Sequence, residues 1–204
     1  MERVLICLLA GYLLGSISPS AIAGKIKRTD LRQNGSKNLG ATNTLLVLGK
    51  AWAAVVLLFD IAKAYAAVYI AQVLLPDNLT MILGAGLAAI IGHCYPFYLG
   101  FRGGKGLACF GGVVLAYDPM LFLILLLTAI LLVLLVNYSY AMPFYGATAF
   151  AIHVAIHTEK VGALTIALVM SLLIFSKHFG NFKKARRGED IKVREYIRTK
   201  LFHR

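Results

Sequence analysis

Seven apolar runs occupy most of this chain, and they decide the solvent it folds in. They fall near 4–23, 51–75, 79–98, 106–117, 119–137, 141–157 and 161–177. An apolar stretch of about 18 residues or more reads as a membrane-spanning helix. Composition agrees: 59% of the 204 residues are hydrophobic and 15% are charged, where a soluble domain carries about 25% charged. The chain therefore reads as an all-α integral membrane protein with about seven transmembrane helices. It forms one domain over 1–204, with a basic cytoplasmic tail over 177–204. The first run, 4–22, is too long for a signal-peptide core and has no clear cleavage site before Gly24, so it reads as the first span.

The run 106–117 is too short to cross. Twelve residues rise about 18 Å against a hydrocarbon core of about 30 Å. Irregular backbone at that depth needs protein or a water-filled cavity around it. The loop before this helix is therefore expected to be recessed. Orientation follows from charge. Segment 24–50 carries Lys25, Lys27, Arg28, Arg32, Lys37 and Lys50 against Asp30 alone, the 99–105 loop carries Arg102 and Lys105, and the tail carries ten Lys or Arg. The connections on the other side are short and neutral to acidic. Seven crossings put all three basic segments in the cytoplasm, with the N-terminus outside and the C-terminus inside. Five crossings are the alternative count.

Cys7, Cys94 and Cys109 are an odd number without CxxC spacing, which argues against a disulfide framework or a zinc site. The net charge of +12 lies in loops and tail. It suits anionic lipid or anionic substrate. No basic helix interleaved with aromatics is present, so nucleic acid is not an expected partner.

The segment Gly92-His-Cys-Tyr-Pro-Phe-Tyr-Leu-Gly-Phe-Arg-Gly-Gly-Lys-Gly106 sets a cationic glycine loop between two apolar runs. Gly103, Gly104 and Gly106 permit unusual backbone conformations, and such a loop can aim consecutive N–H groups at one anion. Lys105 adds a point charge and Arg102 a bidentate fork. The helix that follows would point its positive end at the same anion. Phosphate suits this arrangement best. It is not a nucleotide P-loop, since Gly106 follows the Lys and no strand precedes it. The plainer alternative is that Arg102 and Lys105 only mark the inner side of the membrane.

Two further polar blocks lie on the same side. Asp30-Leu-Arg-Gln-Asn-Gly-Ser-Lys-Asn-Leu-Gly-Ala-Thr-Asn43 offers Arg32, Ser36, Lys37, Asn38, Thr42 and Asn43, with Gly35 and Gly40 permitting tight turns. These groups suit a phosphate and the hydroxyls of a small polyol, unless the segment is merely a solvated loop. Lys177-His178-Phe-Gly-Asn181 closes the last run. His178 and Asn181, three apart, can face one site. His178 suits a general base or phosphate donor, or an interfacial histidine at a helix end. Asp60 and Lys63 lie inside the second run at i,i+3 spacing. Intramembrane charges are functional candidates, or they neutralise each other and fix a packing face. His153 and His157 have i,i+4 ligand spacing but only Glu159 nearby as a third ligand, so no metal is expected.

With these residues assembled, the chain resembles the bacterial membrane-bound glycerol-3-phosphate acyltransferases that use acyl phosphate as donor. The likeness covers nearly the whole length in three blocks: Gly35-Ser-Lys-Asn-Leu-Gly-Ala-Thr-Asn43, Gly92-His-Cys-Tyr-Pro96 through Phe101-Arg-Gly-Gly-Lys-Gly106, and Lys177-His-Phe-Gly-Asn181 with Gly188. Lys37 stands where the family usually has Gly. Ala185-Arg186-Arg187 stands where more apolar residues are usual, with the acidic position at Glu189 or Asp190.

The resemblance implies acyl transfer to the sn-1 hydroxyl of glycerol 3-phosphate in a bacterial cytoplasmic membrane. The products would be lysophosphatidic acid and inorganic phosphate. It implies Lys105, His178, Ser36 and Asn181 as catalytic residues. Arg102, Gly103, Gly104, Gly106, Arg32, Asn38, Thr42, Asn43, His93 and Lys177 would bind substrate or phosphate. Glycerol 3-phosphate, acyl phosphate and membrane lipid are the expected partners, with no cofactor and no obligate protein partner. Two phosphorylated substrates bring about three to four negative charges together, which the clustered cations answer. An acyl phosphate is already activated, so no covalent enzyme intermediate is needed. The base is either His178 or the glycerol phosphate group itself. None of the five histidines is followed at the required distance by Asp, which excludes the His-x-x-x-x-Asp dyad of soluble-domain glycerolipid acyltransferases. A membrane carrier for phosphorylated metabolites is the other functional class, but it should show repeat symmetry in its hydropathy, and none is visible.

Overall fold

The computed structural model describes residues 1–190, 192–195 and 198. Among these residues there is no strand. The rest of the tail lies outside the described residues. The helices are α1 (Glu2–Ser16), α2 (Pro19–Ile26), α3 (Ala41–Leu48), α4 (Lys50–Leu74), α5 (Leu79–Cys94), α6 (Leu107–Tyr117), α7 (Pro119–Val136), α8 (Ala141–His157) and α9 (Val161–Arg186). A single 3-10 turn, Phe97–Leu99, follows α5.

The structure redraws three expectations. The first span is two helices, because Pro19 has no N–H to donate and disfavours helical backbone at Ser18 before it. Ser18 caps the new start instead, its Oγ accepting from Ala21 N at 3.3 Å. The last helix runs past residue 177 to Arg186, so it carries Lys177, His178 and Asn181, as their spacing suggested, and continues beyond them. Gly188, at φ 72, then turns the chain, and Glu189 N donates to Lys184 O at 3.0 Å. The third concerns crossing number. Five stretches are long and apolar enough to span: α1 with α2, α4, α5 with the 3-10 turn, α7 and α9. With 11 and 17 residues, α6 and α8 fall short of that length. The seven-span count is not established.

Small residues set the packing. A Cβ on Gly15 of α1 would collide with the Ala89 backbone of α5, and one on Gly112 of α6 would collide with the Ile61 carbonyl of α4. In lipid, where apolar burial drives little, such close backbone approach supplies the association. A hydrophobic core of Leu83, Ile90, Val113, Phe150, Met170 and Ile174 fills the centre. Phe110 and Tyr117 meet the Phe150 ring edge-to-face at 5.6 and 5.5 Å. α5 with its 3-10 turn is the most enclosed span, with 67% of its apolar stretch buried, while α7 is the most apolar and only 17% buried. α5 is therefore central, and α7 presents Leu123, Leu127 and Leu131 outward to lipid. Part of the tail folds back: Val193 N and Arg194 N donate to Asn137 O and Oδ1 at 3.1 and 2.8 Å. Val193 and Arg194 are thus anchored on the end of α7.

Candidate active site

The loop between α2 and α3 is organised from inside by Asn43. Its Nδ2 donates to Leu31 O and Asn34 O at 2.8 and 3.1 Å, and its Oδ1 accepts from Ser36 N at 2.7 Å. Asn43 is wholly buried. Its polar atoms are occupied by backbone, so it shapes the loop that presents Ser36. Arg32 is likewise engaged: its guanidinium takes both Asp30 carboxylate oxygens, at 3.1 and 3.0 Å. Those hydrogen bonds hold the partly exposed Asp30 carboxyl below its ordinary range.

The glycine loop departs from the expected anion nest. Gly103 N donates to Cys94 O at 3.1 Å and Gly104 N to His93 O at 3.0 Å. Both amides satisfy carbonyls left open at the end of α5 and are not directed at a ligand. The glycines are required for contact: a Cβ on Gly103 would strike the His93 carbonyl, and one on Gly104 the His93 ring and Leu39 carbonyl. Gly106 caps α6 at φ 84, a left-handed conformation that favours glycine. The folded-back loop sets Lys105 at the mouth of α6, whose first N–H groups have no intrahelical acceptor. Lys105 Nζ donates to Asn181 Oδ1 at 2.6 Å. Burial, and then the neighbouring Lys184 charge, push the Lys105 ammonium below the ordinary lysine range.

On α9, His178, Asn181 and Lys184 follow at intervals of three and line one cavity. His178 Nδ1 lies 2.9 Å from Ile174 O. A carbonyl can only accept, so Nδ1 carries the proton. In the neutral ring that leaves Nε2 as an acceptor. Lys177 points elsewhere, with its ammonium 3.8 Å from the centre of the Tyr95 ring, a cation–π contact.

The cavity has a volume of about 780 Å³. Of the residues singled out from sequence, it brings together Ser36, Asn38, Thr42, His93, Lys105, Gly106, His178 and Asn181. Arg32, Asn43, Arg102, Gly103, Gly104 and Lys177 do not line it. Lys184 and Asp60 do, and neither was assigned to the site from sequence. The three-residue spacing after His178 and Asn181 would have revealed Lys184 had the helix been extended far enough. Beyond the polar end the walls are apolar: Leu107, Phe110 and Val114 of α6, Phe122, Leu125 and Ala129 of α7, and Met142 of α8.

Asp60, His93 and Cys109 bring one potential metal-ligand atom each within 4.8 Å of one another. Lys63 Nζ already sits 2.7 Å from the Asp60 carboxylate and 3.0 Å from the His93 ring. An ammonium there supplies the positive charge a metal would bring. His153 and His157 stack with ring centroids 4.0 Å apart, and His157 Nδ1 is taken up by His153 O at 2.9 Å.

A family profile described as glycerol-3-phosphate acyltransferase matches residues 5–188. The chain belongs to that family. A glycerol-3-phosphate acyltransferase of Halalkalibacterium halodurans is 38% identical over 199 residues, 95% of this chain and 97% of that one. One from Coxiella burnetii is 38% identical over 191 residues, 93% and 98% of the two chains. The crystal structure of PlsY (YgiH), an integral membrane glycerol 3-phosphate acyltransferase in its glycerol 3-phosphate form, superposes with a TM-score of 0.87 at 31% identity. That match covers 93% of this chain and 94% of that one. The lysophosphatidic acid form of the same protein superposes at 0.84 and 30% identity. Membership makes this chain an acyltransferase in an integral membrane fold. Residues of its three polar blocks converge on one cavity, and Lys105 and Asn181, which touch there, are 76 residues apart.

Proposed function

We propose that the protein transfers an acyl group from an acyl phosphate to the sn-1 hydroxyl of glycerol 3-phosphate, giving lysophosphatidic acid and inorganic phosphate. One observation carries this reading. The 780 Å³ cavity is charged and hydrogen-bonding where Lys105, Lys184, His178 and Asn181 line it beside Glu189 and Asp190, and largely apolar elsewhere. The polar end suits phosphate, and the apolar end suits an acyl chain. Lys105 stabilises the phosphate that departs, together with the positive end of α6.

The hydroxyl oxygen attacks the acyl carbon, the bond to the phosphate oxygen breaks, and phosphate leaves with the electron pair. The hydroxyl proton passes to the phosphate group of the glycerol substrate, whose second pKa of about 6 suits the task. The Nε2 acceptor of His178 orients a glycerol hydroxyl, and Ser36 and Asn38 face the same cavity. The rate then comes from orientation and from stabilised charge, with no covalent intermediate. The basic loops support a cytoplasmic placement of this face, with the N-terminus outside, and the proposed membrane is the bacterial inner one.

Purified protein given palmitoyl phosphate and glycerol 3-phosphate should release phosphate and form lysophosphatidate in equal amounts. Failure to form lysophosphatidate with this donor, alongside turnover with an acyl thioester, would overturn the donor assignment.

A further inference from the structure

A buried cation outside the proposed chemistry remains to be accounted for. Lys63 Nζ, on a side chain only 2% exposed, makes three contacts. They reach Ile17 O at 2.6 Å, Asp60 Oδ1 at 2.7 Å and His93 Nδ1 at 3.0 Å. An ammonium has three donors and no acceptor; here it hydrogen-bonds Ile17 O and His93 Nδ1 and is ion-paired with Asp60 Oδ1. His93 Nδ1 also lies 3.3 Å from the same Asp60 Oδ1, so ammonium, carboxylate and imidazole form one cluster, with Nε2 of the ring beside Gly104.

Each partner has a reason to need that charge. In an unbroken helix Ile17 O would accept from the N–H four residues on. Ala21 N has turned to Ser18 Oγ instead, so the break before Pro19 leaves the Ile17 carbonyl open inside the protein. His93 is tied to the glycine loop twice, through its carbonyl to Gly104 N and through its ring packed on Gly104. One residue later stands Lys105. A buried ion pair by itself adds little net stability against apolar packing, which points to geometry as its use.

We infer that Lys63 is a positioning residue: its ammonium ties the α1–α2 break and the Asp60 carboxylate to the His93 ring, and so holds the Gly103–Gly104 turn that aims Lys105 at Asn181. The kinetic consequence rests on the proposed acyl transfer; the mechanical one does not.

The test is hydrogen exchange with turnover, on full-length protein in detergent. Lys63→Met should speed exchange at the Gly103 and Gly104 amides at least tenfold and lower kcat at least tenfold, with α9 exchange unchanged. Lys63→Gln, which keeps two donors, should recover part of both. A uniform rise in exchange across all helices, with Met and Gln equivalent, would make Lys63 a packing residue and overturn the inference. So would normal protection of the two amides in folded Lys63→Met. Should that variant fail to fold, Asp60→Asn weakens the ammonium's seat while keeping an oxygen acceptor. It must then raise exchange at the same two amides at least threefold, and unchanged exchange there overturns the inference. Loss of loop protection in a protein with no acyltransferase activity even as wild type would sink the proposed reaction but leave the positioning role standing.

Discussion

Lys105 combines a sheltered position, a 2.6 Å hydrogen bond to Asn181 and a place at the start of α6. Removing a donor of this kind costs about 2.7–4 kcal/mol of transition-state stabilisation. Lys105→Ala should therefore lose roughly 10²–10³ in kcat while melting normally; near-normal turnover would remove Lys105 from the mechanism. Its charge is also lost at lower pH than that of an ordinary lysine, because burial and Lys184 disfavour the ammonium. The activity requires the charged form, so kcat/KM should fall on the alkaline side below the usual lysine range. Lys105→Arg, which stays charged, should move that limb upward. His178 keeps its proton on Nδ1 for Ile174 O and is assigned to orient substrate. His178→Gln should raise KM for glycerol 3-phosphate strongly while retaining turnover. Normal binding with kcat alone lost would make His178 the base. Lys37 adopts φ 58, in the left-handed region. That conformation costs a non-glycine residue about 1–2 kcal/mol, partly offset by the extra unfolded-state freedom of glycine, about 0.4–1 kcal/mol. Lys37→Gly should thus stabilise the protein slightly, by about 0.5–1 kcal/mol, read as a higher melting temperature.

At the scale of elements, α6 is the part whose placement matters most, because the loop that carries Lys105 ends at its cap. It is too short to be fixed by the bilayer and is fixed instead by contact with α4 at Gly112. Gly112→Val should push α6 away from the Ile61 carbonyl. The expected cost is about 1–3 kcal/mol from overpacking, seen in thermal melting, and a larger proportional loss of activity than of stability. Equal losses would mean that α6 does not position Lys105. The length of α9 has a similar consequence. Extending past residue 177, it gives His178, Asn181 and Lys184 helical spacing and points them into one cavity.

For the whole molecule, the prediction concerns sidedness. Cys7, Cys94 and Cys109 are all buried, so a cysteine-free background should cost little surface chemistry. Ser36→Cys and Asn181→Cys in that background should both react with a membrane-impermeant thiol reagent only from the cytoplasmic side. Labelling of either from outside would break the proposed orientation.

The membrane character, the three polar blocks and the cationic loop were legible in the amino-acid order, because run length, charge and short motifs are local properties. Helix type and most helix boundaries followed for the same reason. What only the tertiary structure decided was the use of each polar group. Asn43 and Arg32 read as ligands, but long-range and local acceptors occupy them. Gly103 and Gly104 read as a nest, yet their amides close the end of α5. Lys63 and Asp60 were visible as a pair, but the carbonyl that completes their arrangement is Ile17, 46 residues away from Lys63. A hydrogen bond is satisfied by whichever partner folding brings near, and neither the spacing nor the composition of a chain specifies that partner.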